Sequence, residues 1–235
     1  MVYLMTCVVG FKAEKENKIY IGADTVGSTN YTKENRKDGK VFASGDFTIG
    51  FAGSYRMGQV LQYKLDVPAQ KDSQTDHGYM ATTFIDAVRR LFDKNGIMGV
   101  DQDNKEFGGL FLVAYKNELY RIDYDFQVGI GSEDFTAIGS GGEVALGAMY
   151  ALNSFDEVEP TEKITMSILA AMDLTPFVGG DIEIVSHTYV EETAIDKVYD
   201  KLSDMTDEDL LEIQEYLDMT ICDNNMMALG VDECE

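Results

Sequence analysis

An α+β layered domain is the fold class this chain predicts, on three observations. Strand-like and helix-like runs are segregated, in the order strands, two helices, strands, two helices, strand. The single-strand, single-helix alternation of a parallel βαβ sheet is missing. A length of 235 residues, 45% hydrophobic and 11% aromatic, is enough for one domain to bury a sizeable core without disulfides or metals.

The elements follow from local pattern. Thr6 to Lys12 is a mostly apolar run, and Lys18 to Ala23 is rich in β-branched and aromatic residues. The charged stretch Ala13 to Asn17 between them predicts a hairpin. Lys40 to Ala43 and Phe47 to Ala52 predict a second hairpin, turning at Ser44-Gly45-Asp46. Helical spacing begins after Gly53: Met57, Val60, Leu61 and Leu65 fall on one face, and the helix stops before Pro68. Phe84, Ile85, Val88, Leu91 and Phe92 form one stripe of a second helix over Thr82 to Asp93. Strands at Gly109 to Tyr115 and Glu118 to Asp123 flank a turn at Lys116-Asn117. A further strand, Phe135 to Ile138, stops at Gly139-Ser140-Gly141-Gly142. Helices over Glu143 to Leu152 and Ile164 to Met172 precede a last strand, Ile182 to Ser186.

From about Glu191 the composition changes. The last 45 residues hold 15 of the 42 acids and only Lys197 and Lys201 as cations. Thr206-x-x-Asp209 resembles a capping box ahead of Leu210, Leu211, Ile213 and Leu217, so 191–235 is predicted to be an acidic helical appendage.

Charge and residue usage exclude several function classes. Nineteen Lys+Arg against 42 Asp+Glu give a formal charge of −23, which opposes nucleic-acid or anionic-membrane binding, since phosphates need clustered cations. Cys7, Cys222 and Cys234 have neither disulfide-framework nor zinc spacing, and His77 and His187 are too few for a multi-histidine metal centre. No apolar run reaches the roughly 18 residues of a membrane span, and the first residues lack the pattern of a secretory signal. A soluble, cytoplasmic protein is therefore the expectation.

Four features recur in a meaningful order. A strand begins at Thr6; Ile21-Gly22-Ala23-Asp24 closes the next; Lys40-Val41 opens the third, 16 residues after Asp24; and Phe51-Ala52-Gly53-Ser54 ends the fourth. Gly139-Ser140-Gly141-Gly142 comes much later. With these motifs, residues 6 to 187 resemble the proteasome β-type subunits and, in particular, the bacterial HslV threonine peptidases. The resemblance implies a four-layer αββα sandwich of the N-terminal-nucleophile type, two antiparallel sheets facing each other with helices outside. It also implies six- or seven-membered rings, usually stacked in pairs, that cleave unfolded polypeptides with an ATP-driven unfoldase as partner and without an organic cofactor or catalytic metal.

By the same resemblance Thr6 is the nucleophile, activated by its own α-amine when it is the first residue. Lys40 lowers the pKa of that amine, Asp24 holds Lys40, the Gly53 N–H receives the oxyanion, and Ser140 joins the network at the amine. Ser28 and Tyr55 match segments that pair with an extended peptide, and Phe51, Phe42 and Asp38 match positions near the primary specificity pocket. An aromatic Phe51 narrows that pocket.

The chain departs from the pattern in three places. Met1 to Met5 precede Thr6, so activity requires a short propeptide, 1–5, to be cut from a hydrolase domain over 6–190. The loop after the first strand is two residues longer than is typical, which leaves Cys7 as an alternative nucleophile. Thr175 and Val178 stand where proteasome β-type subunits carry Asp and Ser, as in the simpler bacterial type. Two other readings therefore accompany the peptidase: a non-catalytic ring or scaffold subunit that retains Met1 to Met5, and an amidase of the same superfamily using Thr6 or Cys7.

Overall fold

The first apolar runs are buried on both faces along most of their length. A computed structural model describes residues 6–28, 32–100, 106–107 and 109–189. Strands β1 (Val8–Ala13) and β2 (Lys18–Asp24) form the predicted hairpin, turned by Glu14–Glu16 and by Asn17 in the left-handed region. A short ribbon follows, β3 (Val26–Ser28) against β4 (Lys33–Asn35), then the hairpin of β5 (Val41–Ser44) and β6 (Phe47–Ala52). Helix α1 (Tyr55–Lys64) starts at Ser54, whose Oγ accepts the Arg56 N–H at 3.2 Å.

The second helix begins earlier than its apolar stripe suggests. Thr75 caps α2 (Asp76–Tyr79) by accepting the Gly78 N–H at 3.1 Å, while Gln70 and Lys116 each hold Asp76 at 2.8 Å. A π-helical turn at Met80–Phe84 then leads into α3 (Ile85–Lys94). Beyond a two-residue ribbon, β7 (Gly99–Val100) with β8 (Glu106–Phe107), come β9 (Leu110–Tyr115), β10 (Glu118–Ile122), β11 (Val128–Ile130) and β12 (Phe135–Ile138). Helix α4 (Gly142–Leu152) precedes α5 (Pro160–Leu174), which opens four residues before the predicted Ile164 because Pro160 occupies its first turn and Glu162 accepts the Glu159 N–H at 3.4 Å. The last strand is β13 (Ile182–Thr188).

Two antiparallel sheets result, ordered β12-β1-β2-β13 and β11-β10-β9-β6-β5. Period-two alternation sends Val8, Ile21 and Ala23 toward the other sheet, where they meet Val41, Ala52, Leu110 and Leu112. Cys7, Val9 and Phe11 point the opposite way, onto Ala145, Met149, Ile164 and Ile168 of α4 and α5. Ile49, Phe51, Phe111 and Val113 pack outward from the second sheet against Val60, Leu61, Phe84 and Val88 of the other helices. Three apolar seams between four layers make the αββα sandwich that the resemblance implied. Among the described residues no helix is long and apolar enough to cross a membrane. Met1 to Met5 and the acidic helix expected within 191–235 lie outside the described residues.

Candidate active site

The two sheets bring strand ends together at one edge of the inter-sheet seam. Thr6 precedes β1 and is buried. Its N–H donates to Ser140 Oγ at 3.2 Å, and its carbonyl accepts the Gly141 N–H at 3.1 Å. The turn after β12 thus wraps Thr6. Gly139 makes this approach with φ 93°, and a Cβ there would stand 2.2 Å from the Thr6 carbonyl oxygen, so the turn requires glycine.

Asp24, at the end of β2, is 0% exposed, and Lys40, just ahead of β5, is 2% exposed. Lys40 Nζ donates to Asp24 Oδ1 at 2.7 Å, and the same oxygen accepts the Cys7 N–H at 2.9 Å. Asp24 Oδ2 accepts the Gly179 N–H at 3.2 Å. A buried carboxylate with three donors is well compensated, as a charge in low dielectric must be. Burial pulls the Lys40 ammonium below the ordinary lysine range, and Asp24 works against that shift. The Lys40 carbonyl accepts the Phe51 N–H at 3.0 Å, which ties the β5–β6 hairpin to the pair.

Gly53 lies between β6 and the N-terminus of α1 with φ 136°. The helix end behind it adds a favourable field for a developing negative charge. Ser140 and the Asp24–Lys40 pair are therefore tied to consecutive backbone N–H groups, those of Thr6 and Cys7, with Gly53 on the neighbouring strand end.

The residues expected to contact substrate lie on β3, β5, β6, the start of α1 and the segment ahead of β5. Ser28 ends β3, opposite Lys33. Phe51 is buried, its ring lying over Gly58 of α1 and 6.3 Å from the Phe42 ring. Tyr55 meets Phe51 edge-on at 5.8 Å, and the Arg36 guanidinium lies over its other side at 4.1 Å. Asp38 is engaged by Arg36 through two hydrogen bonds of 2.9 and 2.6 Å.

Cys7 has the wrong environment for a nucleophile. Its side chain faces the helices, and burial, followed by the nearby Asp24 charge, pushes the thiol up to about 12 despite Lys40. Its backbone N–H is committed to Asp24. His77, whose ring is 6.4 Å from that of Tyr120, and His187, whose Nδ1 lies 3.4 Å from Thr48 Oγ1, take no part in the centre. Among the described residues no group of three or more metal-ligating side chains is assembled.

No family model matches the chain. It is 23% identical over 185 residues to the ATP-dependent protease subunit HslV of Caldicellulosiruptor saccharolyticus, covering 79% of this chain and 99% of that one. With the ATP-dependent protease subunit HslV of Rickettsia bellii, identity is 30% over 172 residues, or 72% of this chain and 88% of the relative. The chain belongs to the HslV family. Solved structures share the HslV fold. Thiobacillus denitrificans BPH in complex with epoxomicin has a TM-score of 0.65 at 22% identity, covering 79% of this chain and 100% of that one. HslV from Trypanosoma brucei has a TM-score of 0.54 at 19% identity, covering 77% and 98%.

For an HslV-family chain, what sequence reasoning missed at the centre is mostly backbone. The Cys7 and Gly179 N–H groups fix Asp24, and Thr25 braces the Gly179 turn by exchanging bonds with Asp181 at 3.0 and 2.8 Å. Gly179-Gly180 was the available signal, because paired glycines mark a turn that can present bare N–H groups. Arg36 was missed because its role depends on stacking with Tyr55, which is 19 residues away in sequence.

Proposed function

We propose that this chain is a threonine-type endopeptidase subunit of a self-compartmentalising, proteasome-like ring, cleaving unfolded polypeptides once Thr6 is the first residue. The observation that carries this reading is the buried Asp24–Lys40 pair, hydrogen-bonded to the backbone beside Thr6, whose nitrogen is held by Ser140.

Cleavage of the Met5–Thr6 bond converts an amide nitrogen, which cannot act as a base, into an amine of pKa about 7.7–8.0 that can. The Lys40 charge lowers that value further. The amine takes the Thr6 hydroxyl proton, directly or through a water, as the oxygen adds to the substrate carbonyl carbon. The Gly53 N–H donates to the resulting oxyanion. The protonated amine then delivers its proton to the leaving nitrogen, the C–N bond breaks, and an ester on Thr6 remains. Water activated by the same amine hydrolyses that ester and restores the hydroxyl. This cycle uses neither a metal nor an organic cofactor.

The relatives' name, ATP-dependent protease subunit, supports an ATP-driven unfoldase as the partner of this chain. A panel of unfolded proteins, short peptides and small amides tests the substrate class, with light scattering read on the same preparation. Cleavage of the polypeptides by a particle several times the 26.1 kDa chain mass is expected. A monomer, or turnover of small amides alone, contradicts the reading.

A further inference from the structure

The carboxylate that holds Lys40 is itself held by a turn, and one hydroxyl closes that turn. Asp24 ends β2 opposite Ile182, the first residue of β13, so residues 179–181 run alongside Asp24, Thr25 and Val26. Backbone bonds tie the two segments. The Thr25 N–H donates to the Asp181 carbonyl at 3.0 Å, and the Val26 N–H donates to the Gly179 carbonyl at 3.1 Å. One further tie depends on a side chain: Thr25 Oγ1 accepts the Asp181 N–H at 2.8 Å. Gly180 lies close against that oxygen with φ 83°, and a Cβ there would stand 2.6 Å from Thr25 Oγ1 and 2.9 Å from Asn35 Oδ1. On its other side, the Thr25 carbonyl accepts the Arg36 N–H at 3.1 Å. Thr25 is 2% exposed, so bulk water is poorly placed to replace its hydroxyl.

What this turn presents is the Gly179 N–H, which donates to Asp24 Oδ2 at 3.2 Å. The other oxygen, Oδ1, serves Lys40 Nζ and the Cys7 N–H together. The two oxygens of a carboxylate rotate as a unit, so anchoring Oδ2 fixes the direction in which Oδ1 points. If the turn loosens, the carboxylate can swing away from the orientation that serves both donors of Oδ1. Because Cys7 follows Thr6 directly, such a swing changes both the charge beside Thr6 and the path of its backbone. Rates respond strongly to displacements of this kind: a misplacement of about 1 Å can cost on the order of 100-fold.

We infer that Thr25 is a positioning residue: its hydroxyl closes the 179–181 turn on Asp24 and so aims the carboxylate at Lys40 and the Cys7 N–H. This role rests on the peptidase reading above. It is tested with a fluorogenic peptide on the full assembled protein, comparing Thr25→Val and Thr25→Ser with the wild type and with Thr6→Ala as control. Thr25→Val keeps the shape and loses the acceptor, so it should lower kcat about tenfold or more and leave KM within about twofold. Thr25→Ser keeps the acceptor and should stay within about threefold of the wild-type kcat. The pH profile separates positioning from loss of folded protein. Burial lowers the Lys40 pKa and Asp24 raises it, the Cys7 thiol being the other titratable neighbour. A loosened Asp24 lets Lys40 lose its proton at lower pH. The alkaline limb of kcat/KM should therefore move to lower pH in Thr25→Val and return in Thr25→Ser. Should Thr25→Val not fold, Thr25→Ala against Thr25→Ser gives the same comparison, since the two differ only in the hydroxyl. Three results overturn the role and leave the peptidase reading standing: wild-type kcat and pH profile without the hydroxyl, a loss that Thr25→Ser shares in full, or a loss with the alkaline limb unmoved. Absence of hydrolysis in the wild type, or hydrolysis that persists in Thr6→Ala, overturns both.

Discussion

Replacing Thr6 by alanine is expected to lower kcat/KM for peptide hydrolysis on the order of 10⁴- to 10⁶-fold, as loss of a nucleophile does where the remaining groups act only through it. The fold should be unaffected. Among the described residues, the hydrogen bonds of Thr6, its N–H to Ser140 Oγ and its carbonyl from the Gly141 N–H, are made by backbone atoms that alanine retains. The variant should therefore melt within a few degrees of the wild type. Thr6→Ser, which keeps a hydroxyl, should retain measurable activity. Cys7→Ser serves as the counter-test. It places a hydroxyl in an apolar seam, so its cost falls on stability, about 1–3 kcal/mol, and not on chemistry. Full activity in Thr6→Ala with loss in Cys7→Ser would move the nucleophile to Cys7.

Removing the Lys40 ammonium is the second large effect, and it acts on both stability and activity. Lys40→Met leaves Asp24 charged and 0% exposed, with the Cys7 and Gly179 N–H groups as its remaining donors among the described residues. Breaking a buried pair in this way costs about 3–5 kcal/mol. Adding Asp24→Asn to Lys40→Met removes the orphaned charge and keeps an acceptor for the backbone donors, so the double variant should be more stable than Lys40→Met alone. Activity should be lost in both, since neither supplies the positive charge that tunes the Thr6 amine. Urea unfolding and peptide turnover on the three proteins separate the two roles. A Lys40→Met variant as stable and as active as the wild type would remove the pair from the account.

The elements that sequence reveals here are those whose pattern survives without partners. The β1–β2 and β5–β6 hairpins are apolar, β-branched runs broken by turn residues, the apolar stripes of α1 and α3 have helical spacing, and the Asp24-to-Lys40 spacing follows from two strand ends meeting at one edge. The β3–β4 ribbon escapes because Lys33, Glu34 and Asn35 are exposed and carry no apolar alternation; its order comes from cross-strand pairing with Val26 to Ser28. The start of α2 is hidden for a related reason. Asp76 and His77 look like loop residues until Gln70 and Lys116, 46 residues apart, converge on the Asp76 carboxylate. At the centre the side chains were legible by type and order. The groups that position them were not, because the N–H donors of Cys7 and Gly179 are backbone atoms common to almost every residue. The resemblance carried the layered architecture; composition and periodicity alone reached only the α+β order.

Everything in the mechanism turns on whether the Thr6 nitrogen is an amine. The decisive measurement is the intact mass and N-terminal sequence of the purified, assembled, peptide-cleaving protein. A chain that begins at Thr6 is the predicted result, with the nucleophile and its base both released. A chain that begins at Met1 or Val2 and still cleaves peptides would contradict the account, because an acylated Thr6 nitrogen has no free pair to take the hydroxyl proton.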